Sequence, residues 1–74
     1  MILRDMPSID EAINEESFEW LSDNAPIFLK AVQKEVARGA TPDEIRRYFM
    51  ANTWRPAMAM RCQQAAAYLV SQEG

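Results

Sequence analysis

The chain contains no histidine and a single cysteine, Cys62, and these two scarcities remove several chemistries at once. A lone thiol cannot close an intramolecular disulfide. Zinc sites built from cysteine and histidine need both residue types in number, so none is expected. Without an imidazole, Cys62 has no base to activate it as a nucleophile, and catalysis by proton transfer loses its commonest agent. Glycine is nearly absent as well, at Gly39 and Gly74 only, which leaves no glycine-rich loop to cradle a phosphate. No EF-hand-like loop of ligands accompanies the acids. We therefore expect no enzyme, no cofactor and no metal. No apolar run is long enough to span a bilayer, and no leader of charged, apolar and then small residues opens the chain. With so little cysteine, a reducing, cytoplasmic setting is expected.

What is present favours helix. The composition is 49% hydrophobic and 26% charged, rich in Ala, Met, Glu, Gln and Arg and poor in β-branched residues, which suits a folded all-α domain. At 74 residues such a chain buries only about 60% of the surface its unfolded form exposes. Lacking disulfide or metal support, it is expected to gain stability from a partner, including a second copy of itself.

The start and stop signals divide the chain into a short arm, 1–7, and a single helical domain, 8–72. Pro7 keeps Met6 out of helical geometry, and "SIDE" at 8–11 reads as a capping box opening a helix at Ser8. Its apolar face begins with Ile9 and Ile13 and would continue to Trp20, whereas Phe18 points away from that face. The mismatch predicts a kink or restart near Asn14 to Ser17. Asn24 and Pro26 signal a second start, and Leu29, Val32 and Val36 mark a helix face that Phe28 widens. Gly39 is the expected left-handed stop after Arg38. "TPDE" at 41–44 opens the next helix, with Thr41 as cap, Pro42 in the first position and Glu44 reaching back. Ile45, Tyr48, Phe49 and Asn52 mark its face. In "NTWRP", 52–56, the proline would cost about 3 kcal/mol inside a helix. The stretch is read as a corner, with Thr53 as the next cap and a kinked continuous helix as the alternative. Met58, Cys62, Ala65, Ala66 and Leu69 then follow a helical stripe in which Cys62 is expected to be a packed core thiol. The sum is a compact bundle of four to five short helices.

The net charge of −3 hides an asymmetry: residues 1–24 hold seven acids against Arg4, giving −6, and residues 25–74 hold seven bases against four acids, giving +3. Glu11, Glu15, Glu19 and Asp23 recur every fourth residue, an arrangement of like charges that destabilises an isolated helix. Lys30, Lys34 and Arg38 recur in the same way. These rows are expected to face one another, within the chain or across a homodimer, and the competing reading is two unrelated solvated faces. Trp54 with Arg55 is the residue pairing of an interface hot spot, or else Trp54 closes the core at the corner. Met50, Met58 and Met60 suit an adaptable groove or an ordinary core.

The expected function is a small acidic protein-interaction or assembly module, self-associating or regulating a larger protein. Its candidate contacts are Glu11, Glu15, Glu19, Asp23, Lys30, Lys34, Arg38, Trp54 and Arg55. The alternative is a helix-turn-helix-like nucleic-acid binder over 26–52 using Arg46, Arg47, Arg55 and Arg61 on phosphate. Asp43 and Glu44, at the head of the presumed recognition helix, and the acidic chain as a whole weigh against it.

Overall fold

The computed structural model describes residues 9–52 and 55–73. The expected arm, the Ser8 cap, Thr53 and Trp54 lie outside them. Among the described residues the chain forms four helices, α1 Ile9–Asn24, α2 Pro26–Ala37, α3 Pro42–Asn52 and α4 Pro56–Glu73. The all-α bundle expected from composition is the structure found.

Each corner has a local cause. Between α1 and α2 only Ala25 is non-helical: its N–H donates to the Leu21 carbonyl at 2.8 Å, and its own carbonyl accepts from Phe28 at 2.9 Å and Leu29 at 3.2 Å. Pro26 forces the break, since it has no N–H for the carbonyl four residues back and its ring would crowd that group. Asn24, expected to cap α2, does not. The cap position belongs to Ala25, which contributes no side-chain bond, and Asn24 Nδ2 instead donates to the Trp20 carbonyl at 3.0 Å, closing the end of α1. Asn52 does the same at the end of α3, donating to the Tyr48 carbonyl at 2.6 Å.

The α2–α3 corner follows the expectation. Gly39 has φ +97°, its N–H reaches the Val36 carbonyl at 2.9 Å, and the Ala40 N–H reaches that of Glu35 at 3.0 Å. This pair of reversed bonds is a Schellman motif. A Cβ added to Gly39 would meet nothing within 4 Å, so a substitution there is opposed by the backbone alone. Gly39→Ala should lower unfolding free energy by about 1–2 kcal/mol, and Gly39→Asn by less, because asparagine tolerates the left-handed region; urea titration reads both. Directly after, the Thr41 N–H donates to Glu44 Oε1 at 2.8 Å and the Glu44 N–H to Thr41 Oγ1 at 3.2 Å, the reciprocal capping box.

The α3–α4 corner is a break, not a kink. The Arg55 carbonyl accepts from Met58 at 3.1 Å and Ala59 at 3.2 Å, and Pro56 occupies the first helical position, where its missing N–H has no partner to lose.

The second departure concerns α1, which runs unbroken through 14–17. Its buried residues are Ser17 and Leu21, not Ile9 and Ile13, which are 78% and 39% exposed. At about 100° per residue, Phe18 and Trp20 flank the Ser17–Leu21 line on opposite sides. Both therefore reach α4: the Phe18 ring lies 4.9 Å from Tyr68, and Trp20 lies beneath the Arg61 guanidinium at 4.3 Å. What looks like a phase slip is one wide face with its two edges occupied.

Helix α4 is the centre of the bundle, packing against α1, α2 and α3, while α2 and α3 touch through the stacked rings of Phe28 and Phe49, 5.7 Å apart. It can do so because Ala59, Cys62, Ala65 and Ala66 are all fully buried, and short side chains let three neighbours approach its backbone. Leu21, Leu29, Val32, Val36, Ile45 and Phe49 complete one core cluster, with Met58 and Leu69 packed at its margin.

Candidate interaction surface

Local signals place the residues that reach solvent. On α1, Ser17 and Leu21 turn inward, and Ser17 is only 2% exposed because its hydroxyl donates to Gln64 Oε1 on α4 at 2.5 Å. The row Glu11, Glu15, Glu19 and Asp23 lies about half a turn away and is exposed throughout. On α2, Leu29, Val32 and Val36 turn inward and Lys30 and Lys34 outward. Both charged rows thus point away from the core, and the chain does not bring them together. Among the described residues, Glu15, Glu19 and Asp23 form no ion pair with Lys30 or Lys34. Arg38, the third member of the basic row, pairs with Glu35 at 3.2 Å on its own helix.

Apolar side chains accompany these rows. Ile27, 79% exposed, lies three and seven residues before Lys30 and Lys34 and so shares their face. Ile9 and Ile13, two residues out of step with Glu11 and Glu15, lie together between the acidic row and the buried Ser17–Leu21 line of α1. Ile27 is legible in the sequence as the residue outside the Leu29, Val32, Val36 stripe, although the sequence reading passes over it. Tyr48, Met50 and Met60 are about half exposed, so of the three methionines only Met58 packs against the core.

The arginines proposed for phosphate are dispersed in role. Arg61 is held over Trp20, Arg46 is half-buried, and Arg47 and Arg55 are exposed. Asp43 accepts a hydrogen bond from Gln63 Nε2 at 3.1 Å, tying the head of α3 to α4. α2 and α3 each pack on α4 and touch one another through the stacked rings of Phe28 and Phe49, 5.7 Å apart.

Two other features bear on chemistry. Cys62 is fully buried, and loss of solvation pushes its thiol up from 9.0 to about 11, so at neutral pH it is protonated and inaccessible, the opposite of an activated nucleophile. A shallow, open depression of about 360 Å³ lies under the α2–α3 corner, lined by Glu35, Arg38, Gly39, Ala40, Glu44, Ile45 and Tyr48. Its charged groups are committed locally, Glu35 to Arg38 and Glu44 to the Thr41 amide. No described helix is long and apolar enough to cross a membrane. In comparisons with family models, curated proteins and solved structures, nothing matches this chain.

Proposed function

We propose that this chain is a non-enzymatic association module of the cytoplasm, binding protein, either itself or a larger partner, through the outward faces of α1 and α2. One observation carries the reading: Ile27, 79% exposed, shares the outward face of α2 with Lys30 and Lys34, which pair with no acid among the described residues, and Ile9 on α1 is 78% exposed. Exposed apolar side chains scattered singly are ordinary, but grouped with unpartnered charge they have the composition of an interface. The single thiol, buried and protonated, supports a non-catalytic role.

The test compares the intact chain with the triple variant Ile9→Ser, Ile13→Ser, Ile27→Ser as immobilised bait, with light scattering alongside. Covering one isoleucine contributes about 1.5–3 kcal/mol, so retention of a defined protein, itself or another, should fall about tenfold or more in the variant. Equal retention by both baits, or none by either, refutes the reading.

A further inference from the structure

The association reading leaves the partner open, and the charge layout narrows it. Neighbouring helices carry rows of opposite sign with the same four-residue spacing, about 6 Å along each axis. Each row stands on the side of its helix opposite the buried residues, so no rotation of side chains within one chain brings the rows into contact. A copy related by a twofold axis can do so twice, because if its basic row meets the acidic row of the first, the same symmetry delivers the reciprocal contact. Resting on the association reading, the geometry points to a second copy of this chain as the occupant: a twofold dimer in which Lys30 and Lys34 of each copy lie along Glu15, Glu19 and Asp23 of the other, with Ile27 covered at the centre.

The two kinds of contact divide the work. Ile27 and the methylene stems of the lysines supply the apolar area. Exposed ion pairs add little affinity, but they select orientation, since any other alignment of the two surfaces sets like charges together. The acidic row also acquires a reason: Glu15, Glu19 and Asp23, like charges in line on one helix, are unfavourable in the isolated chain and are relieved when the basic row of a second copy lies over them.

Sedimentation equilibrium of the intact chain up to about 1 mM, which reaches even weak dimers, is the experiment. It uses the wild type and two charge-reversed variants, Lys30→Glu with Lys34→Glu, and Glu15→Lys with Glu19→Lys and Asp23→Lys. The wild type should dimerise, and its dissociation constant should rise with added salt. Each variant alone presents two faces of one sign and should dissociate at least about tenfold more readily. Mixed in equal amounts, the variants should recover a dimer containing one of each, because both reciprocal contacts are then complementary again. A monomeric wild type, variants that dimerise like the wild type, or a mixture that stays monomeric each overturns the proposal. Circular dichroism checks that the variants remain folded; should one unfold, the assembly state of the wild type and its response to salt still decide the matter. A monomeric wild type leaves the broader association reading standing, since that depends on capture by the isoleucine faces.

Discussion

Leu21→Ala should remove about 2–5 kcal/mol of stability, the range for deleting a buried leucine side chain whose site relaxes only partly. Leu21 is fully buried, one turn after Ser17 on the line where α1 meets α4, and among the described residues it is the largest fully buried side chain. A domain of this size has about 4–11 kcal/mol in total, so the variant should be partly unfolded at room temperature and its urea midpoint sharply lowered. The proper control is Ile9→Ala, on the same helix and 78% exposed, which should change stability by less than about 0.5 kcal/mol. The pair tests the orientation of α1 directly: comparable losses at the two positions would mean that the helix does not present its Ser17–Leu21 line to α4.

The second large effect appears at alkaline pH. The Cys62 thiol titrates at 9.0 when unperturbed and at about 11 in the folded chain, because burial disfavours the thiolate. Between those values the unfolded chain gives up a proton that the folded one keeps. Stability is therefore complete below pH 9 and declines as pH rises through 11, by about 2.7 kcal/mol for a shift of two units. Cys62→Ala lacks this component. All other groups are common to both proteins, so the difference in urea stability between wild type and Cys62→Ala should shrink or reverse from pH 8 to pH 11. A constant difference across that interval would show that Cys62 is not held away from water.

How far the sequence carried can be judged residue by residue. Thr41, Glu44 and Gly39 act through bonds to groups at most four residues away, and Pro42 through its own fixed backbone at the start of α3, so their roles are readable locally, and they are found as expected. The α4 stripe is equally legible because Cys62, Ala65 and Ala66 repeat at the helical period. The face of α1 was not. Its centre is Ser17, a polar residue that no apolar pattern selects, and it is tolerated there because Gln64, 47 positions later, accepts a hydrogen bond from its hydroxyl. The Trp20–Arg61 contact is just as distant in sequence. Asn24 illustrates a different failure: a side chain able to cap the helix ahead was equally able to bond backward to Trp20, and with Ala25 standing between it and Pro26 the backward bond is the one formed. Of the candidate surface, the charged rows were legible from their spacing, but their outward direction depended on knowing which side of α1 is inside.

The position of α4 has a consequence for how the chain acquires its structure. It is the last helix in chain order, and the other three find most of their shared contact on it. A fragment ending at Asn52 keeps the α1–α2 contact and the Phe28–Phe49 stack but lacks the helix on which all three earlier helices pack. The complete core therefore depends on pairings far apart in sequence, such as 17 with 64, and contacts of that kind form more slowly than the neighbour-by-neighbour contacts of simpler helical bundles.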